Sequence, residues 1–459
     1  MNFRSAALFV TFLVLAAGCG ADEAGTTDEG SREDASATGS EFARAVMAEV
    51  DAVAAGDIWP GFDPAGFPVA IHVADSTFLF RHPSPEGFVE VPEGDMWGFP
   101  GRHPAMIANT VVELEGVPTA TVLADPSDQS VLSTAAVVVH ETFHAFQMGE
   151  YPGWGANPTA LFTYPMDEVE ALSARRLETR ALRHALESED GEESRCWARA
   201  ALQIRGERFA GLPSESIEYE RGVELHEGTA FYVEHRAAGR APDEAGLPEE
   251  GFPPSGVRLR AASAGAAFAL LLDGMAPGWQ EDLDSLADPS LDALLAEALA
   301  GESVATCGFD ESEREDATIR ADEDVRGLRA ERDEAVRAFE ESEGWRIAVE
   351  AVPPLAPQGF DPMNVQVLGD GRVLHQRMLR LGSDAVTLEI MDRPALTTGA
   401  GANPLFDGVR AVLLTGLDRE PTITQEGEDT RIEGDGVEIE VRQGEVRRSD
   451  RTIRVVLDP

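Results

Sequence analysis

The segment Val137-Val-Val-His-Glu-Thr-Phe-His-Ala-Phe-Gln147 constrains this chain more than any other. It contains His140-Glu141-x-x-His144. On an α-helix residues four apart lie one above the other, so both imidazoles can face one metal ion. Glu141, one step round, stands beside such an ion, where a base must be to take a proton from an activated water. The run has no Gly or Pro up to Met148. Ser133 or Thr134 offers a cap, and Gly149 followed by Pro152 a stop, so the segment is predicted to be helical. The three valines before His140 are weak helix formers, and burial rather than propensity must hold this helix. The alternative is a core helix with two hydrogen-bonded histidines.

Two histidines and a water leave a tetrahedral zinc one protein ligand short. Glu227 is the best candidate for the third. It opens Glu227-Gly-Thr-Ala-Phe-Tyr-Val-Glu234, which reads as a helix with Ala230, Val233 and Ala237 on one face, and with Gly228 allowing a neighbouring backbone close. Together the two segments resemble the gluzincin metallopeptidases. The second is similar to the Asn-Glu-Gly-Phe-Ala-x-Tyr segment of the aminopeptidase N family. The resemblance implies a Zn2+ cofactor held by His140, His144 and Glu227, with Glu141 as general base. It covers about a hundred residues, and 83 positions (227 minus 144) separate the second histidine from Glu227, more than those families use. An inserted helical pair is therefore expected. The Gly-x-Met-Glu-Asn signature of the aminopeptidases is missing, so exopeptidase specificity is not implied. Where the thermolysin group has an aspartate supporting a ligand histidine, four residues after the third ligand, this chain has Phe231. Gluzincins also need a donor for the oxyanion, and Tyr219, Arg221 and His226 stand near enough in sequence to Glu227 to be candidates. His226 should face about 100° away from Glu227 on a regular helix, so it is not expected to be a ligand.

Residues 1–18 carry one base, Arg4, and the apolar run Ala6 to Ala17, too short to span a bilayer and suited to a signal peptide. The end, Leu15-Ala-Ala-Gly-Cys19, resembles the lipobox of bacterial lipoproteins and implies lipidation of Cys19; ordinary signal cleavage beside a bystander cysteine is the alternative. Residues 19–40, mostly Ala, Asp, Glu, Gly, Ser and Thr before Phe42, read as a disordered acidic tether. The expected location is the bacterial cell envelope, extracytoplasmic, at the outer membrane or cell surface. The 83 acids and 37 bases, none of them lysine, leave a net charge of −46. Such a surface excludes nucleic acid as a partner and leaves the lipid anchor as the one attachment to a membrane. Cys196 and Cys307 can pair in an oxidising compartment; two buried thiols are the alternative.

The fold class expected is α+β: a zincin-like catalytic domain over 41–305, a charged helical linker over 306–344 and a β-sandwich or meander over 345–459. In the first domain a helix from Phe42 to Ala54 precedes strands at 68–75, 77–81, 111–114 and 119–123, with an edge strand expected beside the cleft. His72, His82 and His103 lack ligand spacing and read as structural or surface residues. The aromatic loop after the metal helix, Tyr151-Pro-Gly-Trp154, either lines a substrate cleft or caps the helix. The insertion, 166–212, reads as two amphipathic helices whose many Arg and Glu form a solvated face. Beyond Trp345 the pattern alternates, with Gly-Asp-Gly turns, as short strands do.

Two function classes follow. One is a zinc metallohydrolase that cleaves a peptide bond in a peptide or protein substrate. The other is a lipid-anchored extracytoplasmic binding protein whose metal site is structural or inactive. Neither specifies an oligomeric state.

Overall fold

A computed structural model describes residues 29–54, 56–83, 85–92, 96–286, 288–301, 307–401, 403–427 and 429–457. The signal segment and Cys19 lie outside the described residues. The tether boundary at residue 40 is corrected, because helix α1 spans Glu29–Ala54. Ala43, Val46, Met47 and Val50 recur every three or four positions and are buried, so one face anchors the helix. Two compact units divide between Ala321 and Asp322, inside the charged helix rather than at its end.

The first unit opens with a six-stranded sheet. Its strands are β1 (Val69–Val73), β2 (Ser76–Phe80), β3 (Val89–Glu90), β4 (Trp97–Pro100), β5 (Thr110–Leu114) and β6 (Val117–Ala124), in the order β3-β4-β2-β1-β6-β5. All neighbours are antiparallel except β1 and β6, which are parallel. β1 is buried on both faces over Val69–Ile71, as its apolar residues there demand. Val69, Ile71 and Val73 join the main core with residues of α1 and of helix α2 (Val131–Glu150), whereas Ala70 joins a second cluster with Leu79, Phe88 and Met106. β3 and β4 are short and lie in a Gly/Pro-rich stretch without alternation, which is why the sequence reads there as loop.

Helices complete the unit: α3 (Val169–Glu187), α4 (Gly191–Phe209), α5 (Ser214–Val223), α6 (Thr229–Ala237), α7 (Val257–Met275), α8 (Trp279–Ser285), α9 (Leu291–Ala298) and the first part of α10 (Glu311–Glu340). α3 and α4 are two helices in the 166–212 span, where a helical pair is expected. A disulfide joins Cys196 of α4 to Cys307, ahead of α10, with Cα atoms 5.4 Å apart. Among the described residues no helix is long and apolar enough to cross a membrane.

The second unit is all β after the rest of α10. Strand β7 (Trp345–Phe360) organises it. Its first half pairs with Val409–Leu417 on one side and, in parallel, with Thr452–Leu457 on the other; its second half pairs with Met378–Gly382. Ile347, Val349, Ala351 and Leu355 point into a core shared with Leu381, Leu388, Ile439 and Ile453.

The insertion departs from the expected solvated face. Arg205, Arg208 and Glu178 are 1%, 5% and 0% exposed. Arg205 donates to Glu178, Glu224 and Asp292 at 3.1, 2.6 and 2.9 Å; Arg208 donates to Glu178 and Glu220 at 2.8 and 2.5 Å. Arg260 of α7 bonds Glu220 at 2.6 Å and also Glu178, and Tyr164 donates to Glu220. Arg221 donates to the same Asp292 oxygen as Arg205, at 3.0 Å. Four guanidinium groups thus meet four carboxylates, and the planar five-donor fork of arginine lets each inner cation serve two or three partners. Burial opposes ionisation of these acids, but the surrounding arginines outweigh it and hold Glu178, Glu220 and Asp292 below the usual carboxylate range. Burial prevails at Glu224, which is raised to about 7 despite Arg205.

Removing one member leaves its partners buried without compensation, so Glu178→Ala should cost about 3–5 kcal/mol, read as a drop in the denaturant midpoint of the first unit. Acids with depressed values stabilise fully above their unfolded pKa, about 4, and lose that contribution as pH falls through their folded values. Glu224 works in the opposite sense near neutrality. Acid titration followed by tryptophan fluorescence should show steep loss of the first unit below about pH 4, and a shallower one in Glu220→Gln.

Candidate metal centre

The site is built from α2 outward. Ser130, not Ser133 or Thr134, caps the helix, accepting from the Ser133 backbone N–H at 3.1 Å; Thr134 is buried and its hydroxyl donates to the Ser130 carbonyl. Val138, Val139 and Phe143 are fully buried. Each contributes about 1.5–3 kcal/mol by leaving water, more than the helix propensity that the valines lack. This packing turns His140, Glu141 and His144 toward one cavity of about 360 Å³.

Glu227 reaches the same cavity by an irregular route. α5 does not run directly into α6: residues Glu224–Gly228 form a π-helical turn, a local widening that frequently occurs at functional sites. Gly228 makes the turn possible where it crosses α7. A Cβ there would lie 2.6 Å from the Gly265 Cα, and one on Gly265 would lie 2.5 Å from the Glu224 carbonyl oxygen. The two backbones touch with no side chain between them.

One ligand atom from each of His140, His144 and Glu227 lies within 4.8 Å of the others. The two imidazole Nε2 atoms are 3.1 Å apart, and Glu227 Oε2 is 3.8 Å from His144 Nε2. Atoms each about 2.0–2.1 Å from one tetrahedral zinc would stand about 3.3 Å apart. The hydrogen bonds also leave the right atoms available. Gln147 donates its amide to the His226 carbonyl at 3.0 Å and to the Thr229 hydroxyl at 2.9 Å, while that hydroxyl donates to the Leu225 carbonyl. The Gln147 oxygen must therefore face His144 Nδ1, 2.8 Å away, which makes Nδ1 the protonated nitrogen and Nε2 the lone pair. Glu234 Oε2 lies 3.1 Å from His140 Nδ1 and fixes that ring in the same sense. Two lone pairs and a carboxylate converging in a buried space fit a cation.

The charges agree. Burial lowers the His140 imidazole, but the Glu234 hydrogen bond and the charges of Glu141, Glu234 and Glu227 outweigh it and raise it to about 9. A proton thus holds the place that suits a cation. For His144 burial prevails, with His226 and His140 adding to it against Glu227, and it stays neutral, lowered to about 3. Its contact with Glu227 is accordingly no ion pair. Burial works against ionisation of Glu227, yet the positive charges facing it, Arg258 and protonated His140 among them, bring it down to about 2. Arg258 Nη2 donates to Glu227 Oε1 at 2.8 Å, which leaves Oε2 for the shared space. Glu141 is pushed up to about 7 by burial, with Glu227 and Glu234 adding to the rise and His140 opposing it.

The three oxyanion candidates separate. Arg221 is committed to Asp292, outside this cavity. Tyr219 is buried behind the wall and hydrogen-bonds Arg258. His226 lines the cavity, its ring 4.4 Å from that of His144. It stands beside Glu227, its Nε2 4.0 Å from Glu227 Oε1, but is not one of the three converging donors. Sequence reading missed Glu234, Gln147 and Arg258. Glu234, seven residues and about two turns after Glu227, could have been recognised as an acid on the same face. Gln147 follows His144 by three, so an i,i+3 contact was legible; nothing in the sequence marks Arg258.

Comparison with protein-family models, curated proteins and solved structures finds no match.

Glu234→Ala should weaken metal binding by roughly 10–100-fold, because the His140 ring loses its orienting partner. Gly228→Ala should weaken it too, by forcing α6 off α7. Chelator competition on the folded variants measures both.

Proposed function

We propose that this chain is a zinc-dependent hydrolase of peptide bonds, its first unit zincin-like, held at the bacterial cell envelope through lipid on Cys19. The observation that carries this reading is the convergence of His140 Nε2, His144 Nε2 and Glu227 on one buried point, with Glu141 beside them in the same cavity. A zinc ion there supplies Lewis acidity, which lowers the pKa of water and polarises a carbonyl. Glu141 takes the proton of the attacking water and passes it to the departing amine. His226 and Arg258, the basic side chains lining the cavity besides the two ligand histidines, are placed to donate N–H groups to the carbonyl oxygen as it gains charge. Edge strand β5 supports a peptide substrate: Asn109, Thr110 and Val111 line the cavity, and the backbone edge opposite β6 can pair with an extended chain. A sheet whose edge flanks the metal helix is also what the zincin reading requires.

The full-length protein should carry one zinc per chain, and Glu227→Ala much less. Glu141→Gln should keep the zinc and lose about 10²–10⁴-fold in peptide cleavage, the usual range for a general base. Metal analysis beside a peptide-library digest checks this. A wild-type chain that takes up no zinc, or a Glu141→Gln variant that cuts at the wild-type rate, would overturn the reading.

A further inference from the structure

The cavity lining is of two kinds. At the metal end stand His140, Glu141, His144 and Glu227 with the basic His226 and Arg258. The lining also includes an apolar wall: Met148, Tyr151, Pro152, Trp154, Pro158 and Val223. Helix capping does not account for it. The stop of α2 needs only the Tyr151 backbone N–H, which bonds the Gln147 carbonyl at 2.8 Å. The side chains are arranged separately and rigidly. The Tyr151 and Trp154 rings stack 4.1 Å apart and 10° from parallel. Trp59, 1% exposed, supports both, donating its indole N–H to the Tyr151 hydroxyl at 3.4 Å and meeting Trp154 edge-on at 6.1 Å. On the far side the loop lies directly on α5, where a Cβ on Gly222 would stand 2.5 Å from the Gly155 carbonyl oxygen. Asn157 then starts the next turn by accepting from the Thr159 N–H at 3.1 Å. A wall held this way spends little entropy on ordering when a ligand arrives.

We infer that this wall is a side-chain subsite selecting substrates with an aromatic or large aliphatic residue next to the bond held at the metal. The inference rests on the hydrolase reading of the same cavity and names its substrate class. A charged side chain laid against the wall would lose hydration and find no partner. A small one would leave the Tyr151–Trp154 stack wet. An aromatic side chain covers it and can stack in turn. Loop 151–158 and Val223 thus set the preference, while the metal end holds the peptide backbone.

The test uses binding rather than turnover. Zinc-loaded full-length protein is titrated calorimetrically with two hydroxamates, which engage the metal in the same way and differ only in carrying a benzyl or a methyl side chain. The benzyl compound should bind at least about tenfold tighter, since single methylenes in apolar pockets already discriminate by 10–200-fold. Trp154→Ala should bring the ratio to within about twofold. Met148→Glu, at a position 49% exposed on the cavity rim where the fold tolerates a charge, should lower it as well. Equal binding of the two compounds to the wild type, or an unchanged ratio in both variants, overturns the inference. A benzyl preference without any peptide cleavage would retain the subsite and reject the hydrolase; cleavage at residues of every kind would do the reverse.

Discussion

The centre depends on a contact that contains no side chain. Where the π-turn crosses α7, Gly228 and Gly265 bring two backbones together at a distance that any Cβ would forbid. The turn is fixed on its other flank by the buried charges, because Glu220, just ahead of it, and Glu224, its first residue, are gripped by Arg205, Arg208 and Arg260. Glu227 is therefore located from both directions. Its carboxylate needs no freedom to find the histidines, and Arg258 settles which of its oxygens faces them. A candidate metal centre whose third donor comes from a separate segment requires such over-determination, since an error of one turn or one rotamer would dissolve the site.

How much of this was legible in the sequence depended on range. Helix α2 was readable because its signal, an apolar run leading into two histidines four apart with no Gly or Pro, is complete within eleven residues. Glu227 was readable from its own local segment, and the second unit from alternation between glycine turns. The π-turn was not, because nothing in Glu224-Leu-His-Glu-Gly228 separates it from ordinary helix until α7 is in place.

The buried charges were the larger misreading. Helices rich in Arg and Glu normally carry a wet face, and α3 and α4 match that pattern residue for residue. Arg205 and Arg208 are buried because four other helical elements bring carboxylates to them, and that is a fact of tertiary assembly. A chain without lysine is suited to it. Guanidinium stays charged in the interior and divides its donors among several acids, where an ammonium would tend to give up its proton.

The bond between Cys196 and Cys307 can also be seen as a fence. Residues 197–306 lie inside the loop that it closes, and among them are Glu227, Glu234, Arg258 and the two glycines of the helix crossing. Everything that must come to α2 from later in the chain is confined there, while α2 itself stays outside. In the chain-entropy account such a loop removes on the order of 4–5 kcal/mol of disorder from the unfolded chain at 25 °C. Oxidation of one pair of thiols thus narrows the search for the second half of the candidate metal centre, and couples assembly of the site to an oxidising surrounding.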